Sequence, residues 1–293
     1  MTASTDTSLR DLGRRSPEWE PWLAVVQEVL DEIADAKWDA LVPDYDPARG
    51  SKVPLVAGAA IAMETSSLRR WTERLIGTAS RSGTEKMATL KPGLQAAADT
   101  LYLFKASLCQ DDGALKQIAA ISGADPDAFE AVAALLPVPF LHACNRRWSH
   151  SFAPSWVEGY CPVCGGWPAF AEVRGIERSR YFRCGRCAGE WQVNCLVCPY
   201  CGMTDHEQLL SLVPEQGGAT RVIEACKRCL GYVKTFTTLQ RSPAARVMLD
   251  DLASVDLDIV ALEHGYKRPQ GAGYCFDVTV VDKPGEKFSF WRA

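Results

Sequence analysis

Cys161-Pro-Val-Cys164-Gly165, Cys184-Gly-Arg-Cys187, Cys198-Pro-Tyr-Cys201-Gly202 and Cys226-Lys-Arg-Cys229 place four CxxC pairs within 69 residues. In the first and third pairs proline stiffens the turn, and glycine follows the second cysteine, where a left-handed backbone can close a knuckle. The block says nearly the same thing twice. A knuckle, a strand, a turn and a second strand lead to another CxxC, then a glycine and an aromatic: Gly189 and Trp191 in one copy, Gly231 and Tyr232 in the other. Loops of 19 and 24 residues separate the pairs of each copy. Both lengths suit a β-hairpin that folds the second pair over the first and closes a four-cysteine site. Gly175 falls at the tip of the first hairpin and Gly217-Gly218 at the tip of the second.

The candidate metal ligands are therefore Cys161, Cys164, Cys184, Cys187, Cys198, Cys201, Cys226 and Cys229. Four thiolates around one ion suit structural zinc or rubredoxin-type iron, so two metal ions, iron or zinc, are expected. With all four positions filled by protein, no site remains for a metal-bound water, which disfavours hydrolytic catalysis. Cys195 forms an overlapping CxxC with Cys198 and reads as a spare thiol, because Cys198/Cys201 makes the better knuckle. Cys109 and Cys144 sit in helical patterns and read as core residues, while Cys275 has no evident partner.

The chain has 293 residues, a formal net charge of −4 and 47% hydrophobic residues, which fits about two globular domains. The first 20 residues lack an apolar signal run, and Arg14-Arg15 is followed by Ser16-Pro17-Glu18-Trp19 instead of one. A cytoplasmic, reduced protein without membrane insertion is the expectation, and disulfide pairing of the cysteines is disfavoured.

Upstream of the block the pattern is helical. Residues 1–16 are polar and read as loose. Trp22, Val25, Val26, Val29, Leu30 and Ile33 recur at three and four residues, and Thr65 is positioned to cap a helix carrying Leu68, Trp71 and Leu75. Leu94, Ala97, Ala98, Leu101, Lys105 and Leu108 repeat the pattern, and Asp125-Pro126 supplies an N-cap and first helical residue. The fold class is α+β: an all-α bundle over 1–155, tandem four-cysteine ribbons over 156–240, and a C-terminal segment over 241–293. In that last segment Ser242-Pro243 and Asp256 start helices. A terminal hairpin is expected from Phe276–Val280 and Lys287–Trp291 around Lys283-Pro284-Gly285.

Zinc ribbons often bind nucleic acid, so charge decides between classes. From Trp156 to Gln240 there are nine Lys/Arg and eight Asp/Glu, and two metallated four-thiolate sites bring the module to −3. Phosphate binding needs the opposite balance. Arg178-Ser-Arg-Tyr-Phe-Arg183 is a local basic and aromatic patch, read as a solvated strand edge or partner contact. His142, His150, His206 and His264 form no catalytic constellation, and no Walker or GxGxxG motif occurs, so no enzymatic activity is expected.

A helical N-terminal region, then CPVCG, a CxxC followed by tryptophan, CPYCG, and Glu224-Ala-Cys-Lys-Arg-Cys229 with Tyr232-Val-Lys234, resembles the FdhE family from about residue 20 to Gly265-Tyr-Lys-Arg268. The resemblance implies a cytoplasmic accessory protein for assembly of respiratory formate dehydrogenase. Such a protein would bind the enzyme's catalytic subunit and carry rubredoxin-like sites at the eight motif cysteines. The tail after Pro269 departs from the family's usual ending. A rubredoxin-like redox or iron-delivery protein and a zinc-ribbon nucleic-acid binder are the other function classes.

Overall fold

The computed structural model describes residues 3–46, 51–81, 84–90, 100–152, 155–213 and 220–283. The polar N-terminus is helical, not loose: α1 (Ala3–Arg15) carries Leu9 and Leu12 into the core, two apolar anchors that its polar composition masks. In α2 (Glu20–Ile33) the spaced residues Val25, Val26, Val29, Leu30 and Ile33 are buried. The next helix, α3 (Thr65–Arg81), buries Leu68, Trp71 and Leu75, and Trp71 Nε1 donates to the Leu136 carbonyl at 3.0 Å. Thr65 is not its own cap. Asp282, from the far end of the chain, accepts from both Thr65 N and Thr65 Oγ1, satisfying a donor that the helix start leaves open.

A short α4 (Glu85–Ala88) is followed by α5 (Thr100–Cys109), α6 (Asp112–Ser122), α7 (Pro126–Ala133) and α8 (Val138–Trp148). Leu94, Ala97 and Ala98 lie outside the described residues. Asp125 caps α7 as its sequence suggests, accepting from Ala128 N at 3.0 Å. The span Pro126–Trp148 is apolar and long enough to cross a membrane, but 72% of its apolar 18-residue window is buried inside the protein, as in a core helix.

The cysteine block forms one six-stranded sheet from β2 (Pro168–Arg174), β3 (Ser179–Cys184), β4 (Glu190–Val193), β5 (Leu209–Leu212), β6 (Arg221–Cys226) and β7 (Tyr232–Thr238). Its order is β4-β3-β2-β7-β6-β5. Each ribbon contributes three antiparallel strands, and the ribbons join where β2 runs parallel to β7, with Phe170 opposite Lys234. Gly175 turns the first hairpin at φ 64, whereas the tip with Gly217-Gly218 lies outside the described residues.

After the sheet, Pro243 precedes a 3-10 turn (Ala244–Arg246) with no side-chain cap from Ser242, and α9 (Val247–Leu252) and α10 (Val255–Glu263) follow. Gly265, at φ 81, ends this region. The tail strand β8 (Thr279–Asp282) pairs in parallel with β1 (Ala60–Met63) of the helical region, a partner the sequence reading did not name. Residues 287–291 of the anticipated hairpin lie outside the described residues.

The main hydrophobic core does not stop at the bundle. It runs from Phe104, Phe140 and Leu141 into Cys161, Cys164, Phe182, Cys184, Cys187 and Trp191. The second ribbon has a smaller core of its own, where Ile223, Ala225 and Tyr232 meet Leu257 and Ala261 of α10.

Candidate metal centres

All four CxxC pairs fold into the same knuckle. Gly165, Ala188, Gly202 and Leu230, each directly after a second cysteine, take the left-handed conformation with φ of 68, 56, 68 and 56°. Their N–H groups donate back to the carbonyls of Cys161, Cys184, Cys198 and Cys226 at 2.9 to 3.0 Å. The first cysteines close the turn by donating to Gly166, Gly189, Met203 and Gly231. Two knuckles accept non-glycine residues in this costly region, so the turn is held by its surroundings as well as by its glycines.

The turns bring Cys161, Cys164, Cys184 and Cys187 together in one cluster, and Cys198, Cys201, Cys226 and Cys229 in the other, with the sulfurs of each group within 4.8 Å of one another. Between the two knuckles of the first cluster, Sγ separations are 3.4 Å for Cys161 to Cys187 and for Cys164 to Cys184. In the second they are 3.6 Å for Cys198 to Cys229 and 3.7 Å for Cys201 to Cys226. A tetrahedron with metal–sulfur bonds of about 2.3 Å has edges of about 3.8 Å, so each cluster could hold one ion. Backbone N–H groups of Arg186, Gly189 and Gly231 point at Cys184, Cys187 and Cys229 sulfurs at 3.4 Å, a pattern that favours thiolate. Exposed Cys195 stands outside both clusters, its sulfur 3.9 Å from the Arg178 carbonyl.

Charge explains why the donor set suits a cation. Burial pushes the thiols of Cys161 and Cys187 well above their ordinary range. Burial acts the same way on Cys184, but hydrogen bonds from Cys161, Cys164 and Cys187 outweigh it and hold that thiol well below the range. Burial opposes charge on these sulfurs, and a divalent cation among them would compensate it.

The two centres differ in their surroundings. All four cysteines of the first are buried within the main core, whereas Cys201 and Cys229 of the second are half-exposed. The first is also strapped from both sides: Leu55 N and Val56 N donate to Pro162 and Val163 carbonyls, and Tyr274 N donates to the Gly165 carbonyl. At the second, the Tyr200 ring lies against Gly231, and Tyr200 Oη donates to the Tyr232 carbonyl at 2.7 Å.

Charged residues inside the sheet are the part that sequence reasoning missed. Arg180 and Arg183, expected on a solvated edge, are 3% and 0% exposed, because β3 lies between two strands of the sheet. Arg180 pairs with Glu224 and donates to the carbonyls of Asn194, Cys195 and Val197, fastening the linker between the ribbons. Arg183 pairs with Glu172 at 2.9 Å and donates to Ser242 and Ala188 carbonyls. Lys234, also fully buried, reaches Asp251 at 2.6 Å and Asp258 at 2.8 Å, and Arg268 binds the same two carboxylates. Their partners lie 11 to 44 residues away, beyond the reach of local pattern. His142 is buried and pushed down to about 4 by that burial, then by Arg146; His206 and His264 are exposed.

A family model described as "FdhE, C-terminal domain" matches residues 193–273, which hold the whole second centre. The chain is 35% identical over 157 residues to a protein FdhE homolog of Pseudomonas aeruginosa, covering 46% of this chain and 49% of that one. It is 29% identical over 141 residues to one from Aquifex aeolicus, covering 47% and 48%. With protein FdhE of Escherichia coli it shares 34% over 111 residues, covering 37% and 35%. The chain thus spans about half the length, or less, of the curated relatives it matches. The crystal structure of the FdhE protein from Pseudomonas aeruginosa superposes with a TM-score of 0.53 at 23% identity over 91% of this chain and 92% of that one, which establishes the shared fold. The chain therefore shares the FdhE fold over most of its length and resembles the FdhE C-terminal domain in sequence over residues 193–273.

Proposed function

We propose that this chain is an accessory protein for the assembly of formate dehydrogenase, binding the enzyme's catalytic subunit through a scaffold held by two four-thiolate metal centres. The observation that carries the reading is the match of residues 193–273 to the FdhE C-terminal domain, over the stretch that builds the second centre. The chemistry supports it: four protein thiols at each centre fill a tetrahedral metal, leaving no position for a substrate or an activated water. On this reading Cys161, Cys164, Cys184, Cys187, Cys198, Cys201, Cys226 and Cys229 are the metal ligands, and the protein works by holding its client rather than by turning over a substrate. Deleting the gene and assaying formate dehydrogenase activity and cofactor loading tests it; undiminished activity and loading in the deletion strain refute it.

A second reading is favoured by the half-exposed Cys201 and Cys229. Iron at the second centre would lie close enough to solvent to exchange electrons with a partner. Metal analysis and a visible spectrum of protein purified without oxygen separate the two readings, since colourless zinc at both centres excludes redox work.

A further inference from the structure

The fourfold repeat of the knuckle shows what the exposed copy is shaped to meet. In the first ribbon the knuckle Cys184-Gly-Arg-Cys187-Ala188 presses against the carboxyl end of α5. Arg186 Nη2 donates to the carbonyls of Ser107 and Leu108 at 2.9 and 3.1 Å, both in the last turn of the helix, where carbonyls run short of backbone donors. Ala188 beside it is 1% exposed. The second ribbon repeats the turn as Cys226-Lys-Arg-Cys229-Leu230, with the same φ of 56° at Leu230, yet among the described residues no helix end is bonded to its arginine. Arg228, the counterpart of Arg186, is exposed, and among the described residues its side chain makes no hydrogen bond or ion pair. Leu230, the counterpart of Ala188, is 49% exposed.

The surroundings fit the same occupant. The Leu230 carbonyl accepts from Lys267 N at 2.9 Å, which places the knuckle beside a groove of about 470 Å³ lined by Tyr232, Asp258, Leu262, Lys267, Arg268 and Gln270. Leu262 is 59% exposed, Lys267 shares the groove wall with it, and Arg228 is an exposed cation two residues before Leu230. The carboxyl end of a helix carries unpaired carbonyls and the negative pole of the helix dipole, so cationic side chains around an apolar contact complement it.

We propose that the knuckle Cys226–Gly231 docks the carboxyl-terminal turn of a helix in the partner protein, with Arg228 donating to its last carbonyls, as Arg186 does to α5 within this chain, and with the exposed Leu230 packing on its apolar side. The identity of the partner rests on the formate dehydrogenase reading; the chemistry of the contact does not.

The test places the photo-crosslinking residue p-benzoylphenylalanine at position 230 of the full-length, metal-loaded protein, irradiates it in cells of the source organism, and maps the crosslinked peptides. In parallel, affinity for the purified catalytic subunit of formate dehydrogenase is compared among the unaltered protein, Arg228→Lys and Arg228→Glu. Metal content and circular dichroism show that each variant is folded. Crosslinks in the last turn of a partner helix are expected, with binding weakened at least about tenfold by Arg228→Glu and largely kept by Arg228→Lys. Crosslinks to a strand, a loop, a helix amino end or a second copy of this chain, or the absence of any crosslink, overturn the proposal, as does unchanged binding by Arg228→Glu. Crosslinking to the helix end of some other protein upholds the contact and refutes the formate dehydrogenase reading. Equal binding of the catalytic subunit by all three proteins does the reverse.

Discussion

Gly159 lies so close to the backbone of Pro199 that a Cβ on Gly159 would stand 1.7 Å from the Pro199 carbonyl oxygen. Only a glycine lets the segment entering the first centre touch the knuckle that opens the second. Gly159→Ala must push two backbones apart, and we expect a loss of at least about 2 kcal/mol in unfolding free energy. Gly175→Ala, at φ 64 with open space around it, is expected to cost only about 1 kcal/mol. Denaturant unfolding of the two variants side by side measures the difference.

The two centres are expected to release metal at different rates. A chelator must reach the sulfurs, and those of the first centre are buried in the main core while two of the second are half-exposed. Competition with a chromogenic chelator should show one equivalent leaving quickly and one slowly. Cys229→Ser should abolish the fast phase and leave unfolding of the helical region nearly unchanged, whereas Cys164→Ser should destabilise it by more than about 3 kcal/mol, because a metal held there would tie the ribbon into the core shared with the bundle.

Cys195→Ser should retain two equivalents of metal and change stability by less than about 0.5 kcal/mol. Its sulfur is exposed and has only a long contact with the Arg178 carbonyl. Metal analysis after gel filtration settles the point: loss of one equivalent would make Cys195 a ligand.

Lys234→Met should be strongly destabilising, by about 3 to 5 kcal/mol, because it leaves Asp251 and Asp258 to share Arg268 alone. The pH dependence follows from Asp251. Burial works to raise its pKa, but Arg268 and then Lys234 overcome that and hold it below the usual carboxylate value of 3.8. A carboxylate with a depressed folded pKa contributes stability above its unfolded pKa and loses it as pH falls through the folded one. The unaltered protein should therefore lose this contribution below about pH 4, and the pH dependence should be shallower in Lys234→Met. Thermal unfolding between pH 7 and pH 3 checks both.

The cysteine geometry was legible because a CxxC knuckle is local: spacing, proline and glycine state the turn, and the tandem repeat states which pairs meet. Helices such as α2 and α7 were legible for the same reason, through the spacing of Val25 to Ile33 and the cap at Asp125. Arg180, Arg183 and Lys234 were not, since a cation in a strand reads as solvent-facing until Glu224, Glu172 or Asp258 is brought to it from elsewhere in the chain. α1 was hidden because only Leu9 and Leu12 mark its inner face. The strand character of the tail was visible in Val278 to Val280, but period alone does not name a strand's partner, and the partner is β1.

The pairing of β8 with β1 sets an order of events in the making of this protein. Ala60–Met63 emerge from the ribosome long before Thr279–Asp282, and until the tail arrives β1 has an open edge and α3 lacks the carboxylate that closes its first turn. The helical region therefore cannot finish folding as an independent early unit; these hydrogen bonds form only after the intervening cysteine ribbons have been made. All eight cysteines of the two clusters are thus in place before the strand that closes the helical region is made.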